Sequence, residues 1–81
     1  NMDSTMRDQK KFEQADLLAH DMNFLSLKNN GQREAYIMMM INRKQKGFFE
    51  LARTEITTLA NLAVVLAMQS QNGSEEDEKE I

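Results

Sequence analysis

Eighty-one residues suffice for one domain, and a lone chain of this size hides only about 60% of the surface its unfolded form exposes, so its margin of stability is thin. With no Cys and a single His, disulfide staples are excluded and a structural metal is not expected, which leaves association with another chain as the source of extra stability. The net charge of −3 hides two unlike regions: residues 71–81 carry five acids against Lys79 alone, while residues 1–70 hold nine Lys/Arg and eight Asp/Glu, so overall charge makes no case for nucleic acid.

Gly31, Gly47 and Gly73 are the only strong breakers in a chain without Pro, and they divide it into four pieces. From Ser4 to Leu27, Phe12, Ala15, Leu18, Ala19, Met22 and Leu25 recur at spacings of three and four. That pattern predicts an amphipathic helix over about 4–27. Thr5 and Asp8 have the spacing of a capping box at its start, and Asn29, Asn30 and Gly31 tolerate the left-handed backbone that follows a helix end.

The second piece predicts a helix over about 32–46, in which Ala35 through Ile41 are apolar on every side. A buried strand is the rival for so short a run, but three Met and an Ala are poor strand formers and no second strand offers itself as a partner. The third helix, about 48–69, gathers Phe48, Phe49, Ala52, Ile56, Leu59, Ala60, Ala63 and Leu66 within one arc, with Glu50, Thr54, Thr57 and Asn61 opposite. From Leu62 to Met68 the polar side disappears. A Gly inside a helix costs only about 1 kcal/mol relative to Ala, so the alternative is one rod from Gln32 to Gln69; a break at Gly47 is preferred because it allows a three-helix unit. Residues 70–81 have a composition that cannot repay the entropy of ordering and are expected to form a disordered acidic tail beyond a helical domain of residues 1–69.

The expected fold class is therefore all-α, a small three-helix unit paired as a packed or intertwined homodimer. Two apolar segments without a wet side define the expected oligomer and partner interface: Tyr36, Ile37, Met38, Met39, Met40, Ile41, Phe48, Phe49, Leu62, Val64, Val65, Leu66 and Met68. Seven Met in the chain suit such a surface, since Met repacks around varied partner helices, although core filling is the commoner use.

Chemistry is sparse. Nucleophilic catalysis needs a base near Ser, Thr or Cys, and His20 stands on a helix with few hydroxyls nearby. Asp16 and His20 share a face at i,i+4, but two ligands without a third make a solvated His the better reading, and neither a metal site nor a cofactor is expected. Asp3, Asp8, Glu13, Asp16 and Asp21 read as the wet side of the first helix, with Asp3–Arg7 and Glu50–Arg53 as local ion pairs. No phosphate loop or zinc spacing is present. The expected function is a small non-enzymatic adaptor or regulator that binds itself and a protein partner.

The alternative is a dimeric nucleic-acid-binding regulator. Arg43, Lys44, Lys46 and Arg53 place four cations in 11 residues, with Arg33 upstream, and could grip phosphates; near the end of a helix they also complement its dipole. The third helix makes a poor reading helix, because a reading helix wants Arg, Lys, Asn and Gln exposed near its start, whereas this one exposes Glu50, Arg53, Thr54 and Thr57, with two Phe at its entrance. Absent Cys tilts the expected location toward the reducing cytoplasm, and the charged Asn1–Lys11 stretch lacks the apolar core of a signal peptide. Apolar runs of seven residues fall well short of the about 20 that span a bilayer.

Overall fold

The computed structural model of the chain describes the backbone of residues 2–80 and the side chains of residues 6–70. Its elements, in order, are α1 (Met2–Ala19), the single turn α2 (Met22–Leu25), α3 (Asn30–Asn42) and α4 (Arg53–Glu80). The described residues are helical with no strand, as the spacing of apolar residues predicts. The backbone of α4 runs on to Glu80, past the predicted end at 69, and of the residues 70–81 expected to form a disordered acidic tail, the side chains beyond 70 lie outside the described range.

The first predicted helix is corrected, because it stops at Ala19 and resumes at Met22. Asp21 makes the break. Its backbone is extended (φ −98°, ψ 109°), and its carboxylate accepts from the backbone N–H groups of Asn23 at 2.9 Å and Phe24 at 3.4 Å, capping a new turn instead of continuing the old one. This swing carries Phe24 into the core, fully buried, and leaves Met22 and Leu25 exposed; Phe12, on α1 ahead of the break, is exposed as well, although all three belong to the predicted apolar stripe. The role foreseen for Asn29 is corrected as well. It does not end a helix in the left-handed region but starts α3 from an extended conformation (φ −146°), its side chain accepting from Gln32 N at 2.9 Å while Gln32 Oε1 accepts from Lys28 N at 2.8 Å.

The chain breaks before Gly47, and the continuous rod is not formed. α3 ends at Asn42, earlier than the predicted 46, in a paired closure of its last carbonyls: Lys44 N–H donates to Ile41 O at 3.0 Å and Gln45 N–H to Met40 O at 3.1 Å. This closure needs a left-handed residue, and Lys44 supplies it at φ 54°. Gly47 follows at φ 90°, where a Cβ would stand 2.4 Å from Leu17 Cδ1; both the backbone and the close approach favour Gly. Phe48 and Phe49, predicted to open the third helix, instead belong to a connector that crosses α1. α4 begins at Arg53, where Glu55 Oε1 accepts from Ala52 N at 2.8 Å, the reciprocal half of a capping box.

α4 is the spine of the fold, since both α1 and α3 pack on it. Ile56, Leu59, Ala60 and Ala63 meet Ala15 and Leu18 from α1, Phe24 from α2 and Ile37 from α3 in one core. Small residues at 15, 60 and 63 let the α1 and α4 backbones draw close, and the large side chains that fill the centre are Leu18, Phe24 and Ile37. One polar side chain is enclosed with them: Gln14 is fully buried, and neither its Nε2 nor its Oε1 has a hydrogen-bond partner.

Candidate interface on the helix surfaces

Burial divides the 13 expected interface residues into three sets. Ile37 is withdrawn from the interface, because it is wholly enclosed in the chain's own core. Tyr36, Ile41, Phe48, Leu62, Val64 and Leu66 pack against that core while remaining half-buried. Met39, Met40 and Phe49 are half-buried as well, and Met38, Val65 and Met68 are about half exposed, at 47%, 46% and 58%.

The exposed members do not form one continuous patch. One groove, at the end of the molecule where α2 meets α4, is lined by Phe24, Leu25, Arg33, Val64, Ala67 and Met68. A second, where α3 ends and α4 begins, holds Met38, Met39 and Ile41 beside Arg43, Glu50 and Leu51. Sequence reasoning missed a third apolar region, on α1. Met6, Lys10, Glu13 and Leu17 fall on one side of that helix, and the connector lays Phe49 against them. The spacing 6, 10, 13 and 17 was available as a signal, but it competes with the broader stripe from Phe12 to Leu25.

Polar contacts fix the elements around these grooves. Glu55 binds two cations of α1: Lys11 Nζ lies 2.5 Å and Arg7 Nη2 2.9 Å from its carboxylate. Lys11 foremost, then the Ala52 N–H and Arg7, stabilise the carboxylate and draw its pKa down to about 2 from the usual carboxylate value. Arg7 thus pairs across the fold with Glu55, whereas the Asp3 side chain expected beside it lies outside the described range. At the other end the Tyr36 hydroxyl donates to Asp21 Oδ2 at 2.5 Å, and this bond, with burial and the carboxylate's charge, pushes the phenol up to about 12. Tyr36 also stacks at a tilt on Phe24, with ring centres 5.9 Å apart.

The basic residues scatter. Arg43, Lys44 and Lys46 are exposed on the connector and Arg53 on the first turn of α4, while Arg33 lies ten residues back along α3, a rise of about 15 Å, donating to Asn30 Oδ1 at 2.8 Å and Leu27 O at 3.4 Å. None of the five forms an ion pair among the described residues. His20 is exposed, as expected, its Nδ1 3.7 Å from Asp16 Oδ1, and no group of three His, Cys, Asp or Glu side chains converges among the described residues. Nor is any helix there long and apolar enough to cross a membrane. No protein-family model, curated protein or solved structure matches the chain.

Proposed function

We propose that this chain is a small non-enzymatic helical adaptor or regulator that acts by associating with itself and with a protein partner. The observation that carries the reading is how little of the two apolar segments the chain hides by itself: of the residues from Ala35 to Ile41 and from Leu62 to Met68, only Ile37 and Ala63 are buried. Fully covering a large apolar side chain contributes about 1.5–3 kcal/mol, so the half-exposed Met38, Val65 and Met68 retain a driving force for association. Sedimentation equilibrium across the micromolar range tests this. The expected result is a concentration-dependent dimer, shifted toward monomer by Val65→Glu and Met68→Glu; a folded monomer at every concentration refutes it.

A second reading, a nucleic-acid-binding regulator, draws on the exposure of Arg43, Lys44, Lys46 and Arg53. It requires affinity for generic duplex or single-stranded DNA that falls steeply as salt rises, because each phosphate contact releases counterions. Absence of binding at low salt eliminates it.

A further inference from the structure

Two features of the amino-terminal third do not fit a chain that always folds back on itself. Met22 and Leu25 continue the line of Ala15 and Ala19 only along an unbroken helix, yet the helix is interrupted at His20 and Asp21. Off that line, Met22 and Leu25 are 79% and 39% exposed. The interruption is also short and rests on one residue, since Asp21 both caps α2 and accepts the Tyr36 hydroxyl. A two-residue joint between one helix and the rest of a small domain is the arrangement that favours exchange of that helix between copies.

We propose that two copies of this chain exchange α1. In each, the helix straightens at His20–Asp21, runs on into α2 and seats on α4 of the other chain. The occupant of the vacated surface is set by what that surface presents: Leu59, Ala60 and Ala63 beside a carboxylate, Glu55, that α1 answers with Ala15, Leu18, Arg7 and Lys11. That pairing of small apolar side chains with two cations is carried by a second copy's α1. Met2 to Leu25 as one helix measures roughly 36 Å. The inference rests on the self-association proposed above and adds which element crosses.

Reversing the charges tests it. One chain carries Arg7→Glu and Lys11→Glu, the other Glu55→Lys, so each repels its own α1, and the two are unfolded together and refolded as a mixture. If α1 crosses between copies, mixed dimers restore every opposite-charge pairing, and native mass spectrometry finds them above the statistical proportion. If α1 stays at home, mixing gains nothing and the proportion is statistical, which overturns the exchange while leaving dimerisation intact; a wild-type chain that never dimerises removes both. As a second measurement that leaves the ion pairs alone, Asp21→Ala deletes the cap and the Tyr36 acceptor and raises the dimer share at a given concentration. An unchanged or lower share counts against the exchange.

Discussion

Replacing Gln14 by Met keeps the length of the side chain and deletes an amide that is fully enclosed without a partner for either polar atom. Burying an amide without hydrogen bonds costs about 1–3 kcal/mol by mutational measures, and the unbranched Met fits an irregular cavity with little strain. Gln14→Met is therefore expected to stabilise the fold by about 1–3 kcal/mol. For a domain of this size that corresponds to a rise in Tm of about 4–8 °C per kcal/mol. Urea unfolding followed by far-ultraviolet circular dichroism is the assay, at one fixed chain concentration so that association contributes equally to both proteins. The midpoint should rise at unchanged slope. The opposite change, Gln14→Glu, places a carboxylate in the same enclosure and should cost about 3 kcal/mol or more. A Met variant that unfolds earlier than wild type refutes the reasoning, since it means that the amide is satisfied and that its hydrogen bonds outweigh the apolar gain.

Lys44→Gly should stabilise by about 0.5–1 kcal/mol in the same assay, because Lys44 holds a left-handed backbone that Gly adopts without a Cβ penalty. Gly47→Ala should destabilise by about 1–2 kcal/mol for the same reason in reverse; removing the Leu17 contact in a Gly47→Ala, Leu17→Ala double variant should leave most of that loss, since the backbone angle is unchanged. Glu55, held down to about 2, contributes stability that is complete above the ordinary carboxylate value and is lost as pH falls toward about 2; Glu55→Gln should flatten this acid dependence in unfolding curves measured across that window. Tyr36, raised to about 12, works in the other direction: its contribution is complete below the ordinary phenol value and is lost as pH rises through about 12. Ultraviolet titration of the single Tyr should show its midpoint fall toward 10.0 in Asp21→Ala.

Periodicity identified the helices and the buried face of α4, because Ile56, Leu59, Ala60 and Ala63 repeat at a spacing that one face of a helix must gather. Gly47 identified the main break, since only that residue takes φ 90° at no steric cost. The break at Asp21 was harder to read. An Asp that caps the next turn looks the same in sequence as an Asp on the wet side of a continuing helix; what decides is Tyr36, fifteen residues away, whose hydroxyl holds the carboxylate. The connector was misread for a related reason. Phe48 and Phe49 have helical spacing with Ala52 and Ile56, but they are drawn onto α1, and no local pattern encodes that contact. For the interface, exposure separates Met38, Val65 and Met68 from Ile37, although all four lie in apolar runs of similar character.

The carboxylate that Arg7 grips lies 48 residues further along the chain, and the residues that shelter Leu18 come from the same late helix. A ribosome adding about 5–20 residues per second leaves α1 waiting on the order of seconds for its own α4. During that interval a finished α4 on a neighbouring nascent chain is a competing destination. Under the exchange proposed above, translation speed and the spacing of ribosomes on the message become variables in which copy captures which helix, and slowing elongation through the codons for α4 offers an experimental control over the choice.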